Sequence, residues 1–372
     1  MDFSLSEEDR LIQDTVRDFT KKELIPLERD ILGREPEDAV LYLPKDKEEE
    51  LKRKAKEVGF WALNVPEELG GGGLSTLQLS IVEEEVSKSI IPFNFGDVNP
   101  ILFECEGEKR EKYLIPSIEG EKVGRVAIVD EEKTRARKVN GGYLIDGTKL
   151  IIAPDSGDFL ILFAELDGKG MTCFLVDKEE GLEIKEEDRK GWMARFIKPI
   201  PVILRGFKVS EESLLGEEGG AYKLGREYLP KRRIIRGARF VGACERILDI
   251  SVEYVKNWET FGKTLSERMD ARFRIGEMMA EIEAGRYLVY KASWKADRNE
   301  DVRMEGAKVK VFCSEMLSRV SERAFQIHGG PSFQEYFPMR RLLRNIYAED
   351  YVEHSIGLQK LVLAKHLLET RG

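Results

Sequence analysis

The chain has 372 residues, 35% of them charged, with 60 Lys and Arg against 69 Asp and Glu for a net charge of −9. That length supports two or three domains and a large core, and the acidic balance argues against a nucleic-acid binder, which carries a basic excess. Four scattered cysteines (Cys105, Cys173, Cys244, Cys313) without a C-x-x-C pair indicate reduced, buried thiols, not a disulfide frame or a zinc site. No apolar leader opens the chain and no later run is long enough to cross a membrane, so a cytoplasmic protein is expected. Only five Gln and seven Asn are present, a bias seen in heat-adapted proteins.

Residues 1–118 read as an all-α N-terminal domain. Ser6-Glu-Glu-Asp9 spells a capping box ahead of Leu11, Ile12, Val16 and Phe19 at helical spacing. Further helices are expected over 51–58 and 77–86, separated by the glycine run 70–73. That run lacks the Lys-Ser/Thr of a phosphate-binding P-loop and reads as a plain loop. Residues 119–215 change period, with strands expected over 123–129, 138–145, 149–152, 158–164, 171–176 and 201–209. Asn140-Gly141 and Asp146-Gly147 offer tight hairpin turns between them. Short strands with local turns imply a central antiparallel β-barrel or sandwich. Residues 216–372 return to helical period over 220–257, 266–297, 303–328 and 355–370, a C-terminal four-helix bundle. The fold class is therefore α+β and multidomain, divided as 1–118, 119–215 and 216–372.

Several stretches carry more than period. The chain holds Val65-Pro-Glu-Glu-Leu-Gly-Gly71, Phe261-Gly-Lys263, Gln326-Ile-His-Gly-Gly330, Tyr336-Phe-Pro-Met-Arg-Arg341 and a carboxylate, Glu353, just before the last amphipathic helix. Together they resemble the acyl-CoA dehydrogenase family over nearly the whole length. The resemblance implies removal of an α-proton from an acyl-CoA thioester while a hydride leaves the β-carbon for the flavin of FAD. Counting back from Gln359, the family's catalytic Glu falls on Glu353 and its Arg-Asp on Arg344-Asn345. Some branches carry the base before a helical Arg; here that Arg is Arg233 and Arg232 precedes it, so that alternative base is absent. Arg233 corresponds to the arginine beside the acyl-CoA. Arg232, Arg236 and Arg239 share a helix face that would suit phosphate, or equally a solvated, salt-bridged surface.

By the same resemblance Phe261 packs against the FAD of a neighbouring subunit, Gln326, Gly329 and Gly330 bind its pyrophosphate, and Val129 and Ala153 stand at flavin-facing positions. An electron-transfer flavoprotein-like acceptor and a homo- or hetero-oligomeric dimer or tetramer are implied as well. No metal site is expected, because His328, His354 and His366 lack ligand spacing. Departures from the family cluster on the flavin. Both hydroxyl positions are hydrocarbon (Val129, Ala153), the Trp wall becomes Ile151, an expected Arg is Trp258, and His354 replaces the Gly after the base. Two readings follow: a flavoenzyme with a rebuilt site, or a non-catalytic or partner-dependent homologue that keeps the fold.

Overall fold

The computed structural model describes residues 4–32, 43–91, 93–153, 155–178, 181–185, 198–226, 228–334, 338–339, 342 and 355–370. Its principal helices are α1 (Glu7–Phe19), α2 (Lys45–Glu57), α3 (Thr76–Val86), α4 (Tyr228–Asn257), α5 (Met269–Asp297), α6 (Arg303–His328) and α7 (Ile356–Thr370). Its strands are β1 (Gly124–Ala127), β2 (Val129–Val139), β3 (Gly142–Ala153), β4 (Phe159–Leu166), β5 (Gly170–Asp177), β6 (Leu182–Ile184), β7 (Lys198–Ser210) and β8 (Leu214–Leu215), with a small hairpin β9 (Glu259–Thr260) and β10 (Lys263–Thr264). The capping box forms: Ser6 Oγ accepts from the Asp9 N–H at 3.1 Å, and the Asp9 carboxylate accepts from the Ser6 N–H.

The chain forms two compact units, one of residues 1–43, 74–94 and 230–372 and one of 44–73 and 95–229. The N-terminal helical stretch is thus shared between them: α1 and α3 belong with the C-terminal helices, α2 with the strands.

In the second unit, eight strands form one curled sheet in the order β6-β7-β3-β2-β4-β5-β8, with β1 alongside β4. Its inner face gathers Ala127, Ile145, Ile151, Leu160, Phe174 and Val202 into one apolar core. The outer face of β4 and β5 (Ile161, Phe163, Leu175) packs instead against Val65, Leu102 and Leu114 of the unit's helical segments. Asn140–Gly141 is the β2–β3 hairpin turn. Two expectations need correction. Asp146-Gly147 is not a turn: β3 runs through it, and the register against β7 slips there in a bulge. Gly147 has φ 138°, and a Cβ on it would lie 2.6 Å from the Thr134 Cα, while the Asp146 carboxylate accepts from the Gly206 N–H at 2.6 Å. Nor is the sheet wholly antiparallel. β7 occupies the far edge of β3, so β4 lies beside β2 and runs parallel to it and to β1.

In the first unit, α5 runs antiparallel to α4 and α6 runs parallel to it. Gly237 of α4 faces Val289 and Val309, Arg286 pairs with Glu245, and Ser251 meets His328. The N-terminal α3 lies along α5. The Asp297 carboxylate caps the Thr76 and Leu77 N–H groups at 2.6 and 3.0 Å, Ser80 bonds Ser293, and Glu84 accepts from Arg286 and Tyr290. α7 packs on α6, with Lys360 bridging to Glu315 and Gln359 buried.

Candidate functional site

Phe261 sits at the tip of the β9–β10 hairpin. Thr260 pairs with Lys263 across a two-residue loop, and both loop residues have positive φ, 53° at Phe261 and 73° at Gly262. A two-residue loop with φ positive at both positions suits Asn-Gly or Gly-Gly; a large aromatic residue there is strained. The ring gains no burial in return, being 99% exposed. Among the described residues its ring is met by the Arg268 guanidinium, 5.9 Å from the ring centroid. Arg268 also fixes the hairpin by donating to the Thr260 carbonyl and hydroxyl oxygens at 2.8 and 3.0 Å.

Gln326 lies exposed on the last turn of α6, which ends at His328. Gly329 follows with φ 60° and ψ −132°, a conformation open in practice only to glycine. A Cβ built on Gly329 or Gly330 would meet nothing within 4 Å, so the backbone here faces open space. His328 is 2% exposed. Its Nε2 lies 3.1 Å from Ser251 Oγ, and Ser251 donates its own proton to the Ile247 carbonyl at 2.8 Å. The serine oxygen therefore accepts from the imidazole N–H. Burial pulls the His328 pKa down to about 4, which keeps the ring neutral. Tyr254 covers the imidazole at 4.3 Å between centroids and stacks in turn on Trp258 at 5.3 Å. Ser251 and Tyr254 lie near the end of α4 and Trp258 follows it directly, a grouping that sequence reading, which noted Trp258 alone, did not single out.

Arg233 is half-buried on α4, and its Nε is shielded from solvent. Arg239, of the same basic cluster, stands 2.8 Å from Glu83 of α3, which makes it part of a salt-bridged helix face. Glu353 lies outside the described residues, as do Arg344, Asn345 and His354; α7 begins just beyond, with Ser355 Oγ accepting from the Leu358 N–H at 3.3 Å. Among the described residues no cluster of His, Cys, Asp or Glu could hold a metal, and no helix is long and apolar enough to cross a membrane. All four cysteines are buried and outside any disulfide, and burial pushes the Cys105 and Cys313 thiols up to about 12.

In the sheet unit, Val129 is 45% exposed beside the exposed Ile128, at the junction of β1 and β2. Lys149 braces that junction from inside. Its fully buried ammonium reaches Asp130 at 2.6 Å and the Ile128 carbonyl at 3.1 Å. Burial lowers its pKa, and Asp130 opposes the shift. Ala153 points the other way, 7% exposed, into the apolar interior with Ile151. A shallow cleft of about 480 Å³ opens near the β3 bulge, lined by Glu131, Glu132, Thr148 and Arg205 among others. It contains none of the residues singled out from the sequence. Phe261, Gln326, Gly329, Gly330 and Arg233 all lie in the first unit; Val129 and Ala153 lie in the second.

The profile of the acyl-CoA dehydrogenase N-terminal domain matches residues 6–121 and that of the C-terminal domain matches 220–368. The chain is 32% identical to (R)-benzylsuccinyl-CoA dehydrogenase of Thauera aromatica, covering 99% of this chain and 97% of that one. It is 29% identical to the mitochondrial short-chain specific acyl-CoA dehydrogenase of Rattus norvegicus, covering 98% and 91%. The solved butyryl-CoA dehydrogenase of Megasphaera elsdenii superposes with a TM-score of 0.85 at 28% identity, covering 99% of this chain and all of that one. With its helical termini, its central curled sheet and these full-length relatives, the chain belongs to the acyl-CoA dehydrogenase family of oxidoreductases.

Proposed function

We propose that this chain catalyses FAD-dependent α,β-dehydrogenation of an acyl-CoA thioester, with Glu353 as the base. The observation that carries the reading is Phe261, a strained and wholly exposed aromatic side chain whose cost within the isolated chain is repaid only by an external surface. A flat, aromatic, diphosphate-bearing ligand fits what is present. In the first unit Phe261 offers a ring to stack on, and Gly329 and Gly330 leave room at the backbone for a pyrophosphate beside Gln326; in the second unit, taken by itself, the exposed Val129 and Ile128 are apolar surface of the kind a flavin ring takes. The hydrocarbon side chains of Val129 and Ala153 donate no hydrogen bond, so polar contacts to that ring fall to other groups.

Bound FAD would supply the acceptor for the hydride that leaves the β-carbon. The protein's own part is the proton. A Glu353 carboxylate oxygen takes the substrate's α-proton, which requires a desolvated carboxylate with a raised pKa and donors to the thioester oxygen. Arg233 supports substrate binding. An electron-transfer flavoprotein-like carrier would reoxidise the cofactor, and the buried thiols suit a cytoplasmic setting. The exposed Met269, Phe273, Tyr287 and Trp294 on α5 favour a homo-oligomer built on that face. Light scattering that gives a monomer at micromolar concentration would remove the assembly.

Purified protein is expected to absorb between 350 and 500 nm with close to one flavin per chain. Glu353→Gln should abolish acyl-CoA dehydrogenation and leave that absorbance in place. Colourless protein that takes up no added FAD favours a non-catalytic homologue, and undiminished turnover in the variant removes Glu353 from the mechanism.

A further inference from the structure

Two motifs assigned to the same cofactor, the Phe261 hairpin and the Gly329–Gly330 loop, lie 65 residues or more apart in sequence, yet a continuous set of contacts joins them. The loop begins at His328, whose imidazole is held by Ser251 and covered by the Tyr254 ring. The Tyr254 hydroxyl lies 3.5 Å from the His328 carbonyl, the last of α6 before the left-handed glycine. On its other side Tyr254 stacks on Trp258 at an interplanar angle of 16°. Trp258 closes the hairpin, because its carbonyl accepts from the Leu265 N–H at 2.9 Å while its own N–H returns to the Tyr254 carbonyl. Tyr254 therefore touches the root of both segments. Each segment has little of its own to hold it: Gly329 and Gly330 are exposed, with only the buried Ser332 and the Phe333–Phe325 ring contact just beyond them, and the hairpin pairs only two residues per strand. An isolated hairpin of that size does not hold its shape in water.

We propose that Tyr254 and His328 are positioning residues that lock the Phe261 hairpin and the Gly329–Gly330 loop into one rigid element gripping the pyrophosphate end of the cofactor. The proposal rests on the reading above for its ligand, but not for its mechanics. Neither side chain need touch the ligand. Each sets the spacing between a stacking ring and a backbone cradle, so that ordering one segment orders the other before binding.

The test uses the full-length chain as wild type, Tyr254→Ala, Tyr254→Phe and His328→Ala. Amide hydrogen exchange is followed at residues 260–264 and at Gly329, Gly330, Ser332 and Phe333, with the α5 amides around Met278 as a control. Tyr254→Ala should speed exchange in both segments while the control stays protected, and Tyr254→Phe, which keeps the stack, should behave as wild type. His328→Ala should loosen the hairpin, which His328 does not itself touch. Acceleration confined to one segment, or none, overturns the proposal. In the second arm Tyr254→Ala should weaken FAD binding to apo-protein by about tenfold, the loss of one or two modest contacts. Combined with Phe261→Ala it should cost less than the product of the two single effects. Independent, multiplying effects overturn the coupling. A wild-type protein that takes up no FAD sinks the functional reading alone, since the exchange arm still decides the mechanics.

Discussion

Replacing Phe261 with Asn should make the apo-protein more stable and the holoprotein harder to form. The native side chain is 99% exposed, so its removal forfeits no burial. What it forfeits is the Arg268 contact, about 0.5 kcal/mol at an exposed site. What it relieves is a left-handed backbone, about 1–2 kcal/mol for a residue with a full side chain, since Asn-Gly is the pair this turn prefers. The balance is a gain of about 1 kcal/mol, confined to the hairpin. Phe261→Ala is the control: like Asn it keeps a Cβ at φ 53°, but it lacks the short polar side chain whose local hydrogen bond lets Asn occupy this region, so it should bring no such gain. Local stability is read from amide exchange at Thr260 and Lys263 in apo-protein, and cofactor affinity from titration with FAD. Slower exchange with weaker FAD binding in the Asn variant alone is the expected pair of results. If Phe261→Asn loosens the hairpin, the turn is not strained and the ring's exposure is no sign of an external partner.

Three other expectations follow from single side chains. Val129→Thr puts a hydroxyl on an exposed strand position without changing volume, and should tighten FAD binding about fivefold if it gains one net hydrogen bond of about 1 kcal/mol; unchanged affinity in a titration would take residue 129 away from the flavin. The neutral His328, with a pKa near 4, makes the helical unit acid-sensitive. Because the folded value lies below the unfolded one of 6.5, its contribution is complete above pH 6.5 and is lost as pH falls towards 4, by up to about 3 kcal/mol. Urea midpoints that do not fall over that window faster than in His328→Gln would contradict this. Arg286→Met strands the Glu84 carboxylate, which is 3% exposed and otherwise held by the Tyr290 hydroxyl at 3.0 Å. Unfolding in urea should show a loss of about 3–5 kcal/mol, and a loss below about 1 kcal/mol would mean that water reaches the carboxylate.

Local structure was largely legible in the sequence, because it depends on neighbours in the chain. Ser6 and Asp9 form their capping box, Asn140-Gly141 turns the hairpin, and the helix expected over 303–328 spans those residues. The stretch expected as one helix over 220–257 is a short helix at Ala221–Arg226 followed by Tyr228–Asn257. Asp146-Gly147 misled because a bulge asks for the same glycine as a turn, and only the partner strand β7 distinguishes them. The parallel pairing of β4 joins residues 30 to 35 apart, such as Arg135 with Glu165, the position of α3 against α5 depends on contacts more than 200 residues apart, such as Thr76 with Asp297, and no local pattern encodes either. At the candidate site the chemistry was readable and the geometry was not. The hydrocarbon character of Val129 and Ala153 was plain, but their opposite orientations come from the register of the sheet. The strain at Phe261 comes from a hairpin only two residues wide, a feature without an alternating run to announce it.

The placing of α3 has a consequence for synthesis. Residues 44–73 and 95–229 form their unit once the first 229 residues have emerged, whereas the unit containing α1 and α3 is incomplete until α4 to α7 have left the ribosome. Until then Glu84 lacks Arg286 and Tyr290 and the Thr76 and Leu77 N–H groups lack the Asp297 carboxylate, so the nascent chain carries α3 with α1 alone to pack on it. A fragment cut at residue 216 would inherit the opposite defect, with Arg286, Ser293 and Asp297 facing an empty groove. Residues 74–94 and 230–372 must therefore be translated in one chain, and a chaperone that shelters α3 during elongation would raise the yield of native protein.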